Sequence, residues 1–594
     1  MTKLLLSGDE AVARGAWAAG CLVAAAYPGT PSTEILEEMA HFPEIDSRWA
    51  SNEKVALEIA AGASIGGVRA LAAMKHVGLN VAADPLLTMA YIGAYGGLVV
   101  VSADDPGCHS SQNEQDNRHY ARLAKILMLE PSDSQECFDF TKAAFELSER
   151  FDTPALMRMT TRVCHSKSLV TSGERPQEAP TKPYIRNVQK NAMLPAHARV
   201  RHDMVERNMK ALEEYAENCP MNRIEWGADK AIGIITSGIS YMHAKETFGD
   251  SVSYLKLGLT HPLPKKLIST FARAVGKLYI IEEGDPYLED TVRTLGFDCL
   301  GKELVPVQGE LNAGILRRAF LPVKENAATL SSPLAAPSRP PVLCAGCPHR
   351  GFLHSLGQKK KQIAVCGDIG CYTLGIQPPL EGLDTAICMG AGFSAAIGLA
   401  SAFKAAGDER KVFGLMGDST FFHSGLTGLV DAIHAQSNIC LCILDNSITA
   451  MTGHQENPGT ARDLMGHTAV SLDIPALIKG LGLPEDRLTI LDPLNRSDVV
   501  DAIDKAVATE GLSVIIARRP CVLIKEVRST FKNRCLVDAE KCRKCKMCLK
   551  VGCPAIAFKD GHSNIDQDAC LGCGYCQAVC KFEAISTITM KGAD

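Results

Sequence analysis

Eight cysteines lie between Cys542 and Cys580, in two runs: KCRKCKMCLKVGCP at 541–554 and CLGCGYCQAVC at 570–580. Each run is a C-x2-C-x2-C triplet followed by a fourth cysteine. The chain carries 23 cysteines in all. The first residues, MTKLLLSGDEAVARG, place a run of three leucines directly before Ser7, Gly8, Asp9 and Glu10, too short for the apolar core of a secretory signal. A cytoplasmic location is the default expectation. In that reducing compartment, thiols at this spacing read as metal ligands or redox groups rather than disulfides.

A [4Fe–4S] cluster takes four thiolates. A tight C-x2-C-x2-C loop supplies three but cannot easily wrap round to supply the fourth. The runs resemble those of bacterial two-cluster ferredoxins, where the last cysteine of one run serves the cluster of the other. On that pattern Cys542, Cys545, Cys548 and Cys580 hold one cluster, and Cys570, Cys573, Cys576 and Cys553 the other. Paired zinc sites compete with this reading, but interleaved triplets without histidine disfavour them. Two positions depart from the pattern: four residues precede Cys553, and Lys581 follows Cys580 where proline is usual. Neither removes a ligand. A tail of this kind carries electrons, so something upstream must generate or consume them.

At 594 residues the chain needs several cores, about three to five at ~100–200 residues each. A net charge of −5 gives no reason to expect a nucleic-acid partner or an anionic membrane surface. The most apolar stretch, LLTMAYIGAYGGLVVVSADD, reads as a helix end plus a buried strand rather than a membrane span. Six segments are expected. Residues 1–175 alternate strands (RALAAMKH, GGLVVVSADD, TPALMRMTT) with helices such as VALEIAAGASIGG. Residues 176–227 are a linker with an exposed amphipathic helix, and 228–325 a second α/β unit. A further linker covers 326–341, and a third α/β unit covers 342–528 with strands KQIAVCGD, KVFGLMGD, ICLCILDN and LSVIIARRP. The cysteine-rich tail is 529–594.

In the third unit, MGDST at 416–420 follows the apolar run KVFGL, and DNSITAMTG begins at Asp445 after ICLCIL. Twenty-five residues separate Ser419 from Asp445. This resembles the thiamine diphosphate motif, written GDG, about 25 residues, then NN. Adjacent parallel strands ending side by side form a ligand crevice. Asp418, Asn446 and the Ile448 carbonyl would give hard oxygens to Mg²⁺, whose remaining ligands are phosphate oxygens. Gly417 would let the backbone approach the diphosphate, with the following helix N-terminus facing the anion. Ser419 and Asp445 stand where the motif has Gly and Asn; an ordinary polar strand-turn-helix is the competing reading.

These parts, with YPGTPSTEI at 27–35, SNEKVALEIAAGASIGGVRA at 51–70, DDPGCHSSQNEQDNR at 104–118 and CAGCPHR at 344–350, resemble the 2-oxoacid:ferredoxin oxidoreductases, and within them the alpha subunits of the indolepyruvate:ferredoxin oxidoreductase family. The resemblance covers essentially the whole chain. It implies a multidomain α/β thiamine diphosphate-binding fold, parallel sheets flanked by helices, with a C-terminal two-cluster ferredoxin-like α+β domain. It places Glu53 as the carboxylate that activates the cofactor's aminopyrimidine, against the blander role of an acid favoured at a helix N-terminus, and Thr30 near the substrate. It implies a third, proximal [4Fe–4S] cluster on Cys344, Cys347, Cys371 and Cys521, with Cys366 and Cys388 as competitors. His109, Ser110 and Gln112 are candidates for orienting the substrate carboxylate, or simply members of a hydrogen-bonded loop, and Arg118 is a candidate counter-charge. The middle unit shows no catalytic constellation. The implied reaction converts an aryl pyruvate and coenzyme A to an aryl-acetyl-CoA and CO₂, with electrons passing to ferredoxin. A smaller beta subunit would complete an α₂β₂ assembly. A non-oxidative thiamine enzyme is disfavoured by the ferredoxin tail. An electron-transfer subunit with a degenerate thiamine site, or a relative with another 2-oxoacid substrate, remain as alternatives.

Overall fold

The computed structural model describes residues 2–228, 230–321 and 340–589. The chain forms two compact units, Met1–Ser331 and Ser332–Asp594. The linker expected at 326–341 falls almost wholly outside the described residues.

The first unit is built on a seven-stranded sheet in the order Leu259–His261, Leu127–Leu129, Ala155–Thr160, Leu98–Asp104, Ala70–Lys75, Val23–Ala26 and Asp46–Trp49. All neighbours are parallel except the edge strand Leu259–His261. Leu98–Asp104 is buried at every position, as a strand covered by helices on both faces must be. Side-chain caps start the helices on the residue types that supply an acceptor: Ser7 and Glu10 form a capping box for Gly8–Ala18, Asn52 caps Glu53–Ile65, and Asp133 caps Ser134–Arg150. A second sheet orders Lys277–Ile281, Ile232–Ser237, Ser253–Leu257 and Arg223–Glu225. The segment 228–325 therefore does not keep to itself: its strand Leu259–His261 extends the first sheet.

The second unit has a six-stranded, fully parallel sheet in the order Thr385–Ala386, Ile363–Gly367, Lys411–Gly417, Ile439–Asp445, Ser513–Arg518 and Leu488–Leu491. Its central strands Lys411–Gly417 and Ile439–Asp445 are completely buried. Helix Ala391–Ala406 lies so close to the sheet that a Cβ on Gly414 would stand 2.7 Å from the Gly392 carbonyl oxygen; only glycine permits that approach.

The tail follows as two antiparallel ribbons, Asn533–Val537 with Ile585–Thr589 and Ile556–Lys559 with His562–Ile565. Short helical turns Met547–Val551 and Tyr575–Ala578 each carry the third cysteine of a triplet. The two cysteine loops share a backbone conformation: Lys544 and Lys546 take φ of 57° and 59° where Gly572 and Gly574 take 64° and 77°. The second loop uses glycine for a left-handed geometry that the first imposes on lysine.

Candidate active site and iron–sulfur cavities

In the second unit, strands Lys411–Gly417 and Ile439–Asp445 end side by side, and their turns bring Asp418, Asn446 and Ile448 together. One end of the Asn446 carboxamide lies 2.8 Å from the Ile448 carbonyl oxygen and 3.0 Å from Asp418 Oδ1. With nitrogen at that end it donates to both. With oxygen there, three oxygens converge, and a cation is what reconciles them. The opposite end of the amide faces His349 Nε2 at 3.5 Å, and burial holds His349 down to about 4, neutral and able to accept. Asp418 is buried, receives Asn457 Nδ2 at 3.0 Å, and is raised to about 7 by desolvation and then by the Asp445 charge. The donor set fits a hard divalent cation.

The two positions that depart from the thiamine motif point elsewhere. Ser419 Oγ accepts from Thr449 Oγ1 at 2.8 Å, tying one turn to the other. Asp445 accepts from Arg518 Nε at 2.6 Å and from the Ser447 N–H at 3.1 Å. A Cβ on Gly417 would stand 2.9 Å from the Tyr372 ring, so its missing side chain makes room for Tyr372. The Tyr372 hydroxyl in turn bonds Asp368, which is fully buried and pushed up to about 8 by desolvation. Sequence reasoning missed this pair.

Cys344, Cys347, Cys371 and Cys521 come together beside these turns. Burial and then the neighbouring Cys521 and Cys344 sulfurs push the Cys371 thiol up to about 11. Burial raises Cys347 to about 12, with Cys371 and Cys344 adding to it and Arg350 opposing. Thiols raised in this way are the groups that a bound metal or cluster would have to hold as thiolates. Cys366 lies within strand Ile363–Gly367 and bonds toward Thr385; Cys388 is exposed, with its thiol raised by desolvation and then by the Asp368 charge.

Two cavities in the tail sort the other cysteines. One is lined by Cys542, Cys545, Cys548 and Cys580, the other by Cys553, Cys570, Cys573 and Cys576. The interleaved exchange of fourth cysteines is thus the arrangement the fold brings together. The second cavity also holds a ninth cysteine, Cys535, buried, whose backbone N–H lies 3.3 Å from Cys570 Sγ. Its wall includes Ala345 and Gly346, between Cys344 and Cys347. Arg350 joins the two loops, donating to the carbonyls of Cys344 at 2.9 Å and Val551 at 3.0 Å. Cys535 escaped the sequence reading because it lies outside the triplets.

In the first unit, Glu53 is the first residue of helix Glu53–Ile65 and is buried. A Cβ on Gly78 would stand 2.7 Å from Glu53 Oε1, so glycine at 78 leaves room for the carboxylate. Ser110 Oγ donates to the Thr30 carbonyl at 3.2 Å. Lys75 Nζ donates to the Ser110 carbonyl at 2.5 Å and to Ser110 Oγ at 3.1 Å. Thr30, Ser110 and Lys75 thus share one place, and burial lowers the Lys75 ammonium to about 8. The loop is held by Asp105, which accepts from the Ser110 N–H and from Thr161 Oγ1, both at 2.8 Å. His109 is half-exposed and pairs with Glu310 at 3.2 Å; Gln112 is exposed.

Arg118 is corrected. Its guanidinium is 1% exposed and committed internally: to Asp116 through Nε at 2.9 Å, to Glu282 through Nη1 at 2.5 Å, and to the carbonyls of Glu283 and Asp285 through Nη2 at 2.7 and 2.9 Å. It braces the loop after strand Leu98–Asp104 against the turn EEGDP. With those donors spent it has no fork to offer a substrate carboxylate.

Residues 14–222 match the family described as pyruvate flavodoxin/ferredoxin oxidoreductase, thiamine diphosphate-binding. Residues 368–517 match the thiamine pyrophosphate enzyme C-terminal TPP binding domain, and 534–581 the 4Fe-4S dicluster domain. The chain is 39% identical to indolepyruvate oxidoreductase subunit IorA of Archaeoglobus fulgidus, over 98% of this chain and 97% of that one. It is 40% identical to the protein of that name from Methanothermobacter marburgensis, over 98% and 97%, and 39% identical to that of Pyrococcus abyssi, over 99% and 97%. Among the described residues no helix is long and apolar enough to cross a membrane.

Proposed function

Because the chain belongs to the family of indolepyruvate oxidoreductase IorA subunits, thiamine diphosphate-dependent 2-oxoacid:ferredoxin oxidoreductases with a 4Fe–4S dicluster domain, we propose that it oxidises aryl pyruvates. In balanced form, one aryl pyruvate, one coenzyme A and two oxidised ferredoxins give one aryl-acetyl-CoA, one CO₂, one proton and two reduced ferredoxins.

Thiamine diphosphate, when bound, supplies the carbanion chemistry that lets a 2-oxoacid lose CO₂. Asp418, Asn446 and the Ile448 carbonyl would hold the Mg²⁺ that carries its diphosphate, with Gly417 and Ser419 shaping that turn. Glu53, buried and facing Gly78, would act on the cofactor's pyrimidine ring, as a carboxylate able to share a proton there. Thr30, Ser110 and Lys75 would bind the carboxylate end of the 2-oxoacid, Lys75 taking the role expected of Arg118, with His109 and Gln112 on the same loop. Cys344, Cys347, Cys371 and Cys521 would hold a proximal cluster. The shared wall at Ala345 and Gly346 supports an order in which the Cys553, Cys570, Cys573 and Cys576 set comes next. The Cys542, Cys545, Cys548 and Cys580 set, which includes the exposed Cys545, comes last and faces ferredoxin. A smaller beta subunit in an α₂β₂ assembly completes this reading.

The convergence of Asp418 Oδ1, the Ile448 carbonyl oxygen and one end of the Asn446 carboxamide supports it against a degenerate thiamine site. Ser419 and Asp445 are absorbed in links between the turns rather than aimed at the cation. The test is turnover by the chain co-purified with its partner subunit, comparing indolepyruvate, phenylpyruvate, pyruvate and 2-oxoglutarate with and without coenzyme A. CoA-dependent ferredoxin reduction fastest with the aryl substrates is expected. A preference for pyruvate or 2-oxoglutarate contradicts the substrate assignment. One apolar contact discriminates by only ~1–3 kcal/mol, so the comparison is one of relative kcat/KM.

A further inference from the structure

Helix Gly8–Ala18, helix Thr33–Met39 and the short helix Thr161–His165 meet in the first unit. They meet closely: a Cβ on Gly8 would lie 2.2 Å from the Val163 carbonyl oxygen. At this junction Asp9 is 0% exposed, and neither of its carboxylate oxygens has a strong hydrogen-bond donor, only the weak thiol of Cys164 bearing on it. A buried polar group left in this state is destabilising, the more so if charged, so the position calls for an explanation. Ligand atoms of Asp9, Glu34 and His165 all lie within 4.8 Å of one another.

We propose that Asp9, Glu34 and His165 form a binding site for a divalent transition cation, of which Zn²⁺ is the representative. Two carboxylates and one imidazole are the ligand set such ions take when three positions come from protein and the rest from water. The separation of His165 Nε2 from Glu34 Oε2 is 3.7 Å, close to the ~3.4 Å edge of a tetrahedron with ~2.1 Å bonds. The site faces solvent through Glu34 and His165, so an ion can enter, while Asp9 anchors it from the buried side. The nearby cations are engaged elsewhere: Lys167 with Glu10 at 3.0 Å and Arg162 with Glu310 at 2.7 Å.

A bound ion would pin the two loops that carry the substrate candidates. Glu34 follows Thr30 by one turn at the start of its helix, and Thr161, at the head of the short helix, bonds Asp105, which holds Ser110. The ion is therefore a clamp on the loops around Thr30 and Ser110, distinct from the cation at Asp418.

The experiment uses the anaerobic full chain with its clusters, thiamine diphosphate and Mg²⁺ in place, so that the cysteine and Asp418 sites are filled. Weakly bound metal is removed with a mild chelator, Zn²⁺ is returned by equilibrium dialysis, and zinc is counted per chain alongside Zn K-edge absorption. One zinc with a nitrogen and oxygen shell is expected. It should be lost, or weakened at least tenfold, in both Glu34→Gln and His165→Ala, which alter exposed side chains and leave the core intact. Zinc binding equal in wild type and in both variants overturns the proposal, as does a sulfur-containing shell or no zinc at all. Zn²⁺ should also raise the melting temperature of wild type and not of His165→Ala; an equal rise in both contradicts it.

Discussion

The backbone N–H of Cys521 donates to the carbonyl oxygen of Asn446 at 2.9 Å. One peptide contact thus joins the fourth cysteine of the proximal set to a residue of the proposed cation site. The Cys521 thiol lies near enough to Asp418 for that charge to bear on it. Strand Ser513–Arg518 runs beside Ile439–Asp445, so the two residues emerge together from adjacent strand ends. Sheet register, rather than a flexible loop, thus places the proposed cation site and the proposed proximal cysteine set side by side.

If Cys521 is a ligand, Cys521→Ser removes one cluster of three. Iron content should fall from about twelve to about eight per chain, while Cys366→Ser and Cys388→Ser leave it unchanged. Cys535→Ala should also leave it unchanged, because eight tail thiols already complete two clusters. A loss of four irons in Cys535→Ala would reassign the second cavity.

Asn446→Ala removes the carboxamide whose one end faces Asp418 and Ile448. Changes in a metal's outer partners alone cost 10–100-fold in affinity. Removal of a direct ligand should therefore weaken Mg²⁺-dependent thiamine diphosphate binding by about 100-fold or more, measured by calorimetry, with iron content preserved. Unchanged binding would place the cation elsewhere.

Gly78→Ala puts a methyl where Glu53 now lies. Glu53 is a movable side chain, so the fold should survive with a melting temperature within a few degrees of wild type. Turnover should fall toward that of Glu53→Gln. Full activity in Gly78→Ala would show that the carboxylate's present position is not the working one.

Lys75 carries a pH prediction. Burial lowers its pKa to about 8, so it is cationic below that pH and neutral above. kcat/KM, which reports the free enzyme, should decline as pH rises through about 8. In Lys75→Arg, whose side chain stays charged, the decline should vanish even if the rate is lower. A decline that persists in the arginine variant assigns it to another group.

Arg118→Met breaks a buried network and leaves Asp116 and Glu282 without their partner, which costs about 3–5 kcal/mol. The melting temperature of the apo chain should drop by several degrees or more, and Arg118→Lys should not restore it because one ammonium cannot span four acceptors. A stable Arg118→Met with raised KM would return Arg118 to the substrate.

What the sequence made legible was local. Fully buried strands such as Ile439–Asp445 read as apolar runs, and the triplets Cys542–Cys548 and Cys570–Cys576 are set by spacing alone. What it hid depends on distant chain. Arg118 looked available because its partners Glu282, Glu283 and Asp285 lie more than 160 residues away. The edge strand Leu259–His261 joins a sheet whose other strands end by Thr160. Gly78 and Gly417 owe their identity to Glu53 and Tyr372, neighbours only in the fold. In sequence Lys75 is only the end of a buried strand; its contacts with Ser110 need the folded loop.

The most direct measurement follows the chain's own iron–sulfur absorbance under anaerobic conditions, in protein co-purified with the proposed beta subunit and supplied with thiamine diphosphate, Mg²⁺ and coenzyme A. Indolepyruvate should bleach it within the time of turnover, and Glu53→Gln, with the same iron content, should slow the bleaching by a hundredfold or more. No bleaching by any 2-oxoacid in fully iron-loaded protein would contradict the account and leave an electron carrier whose thiamine fold is idle.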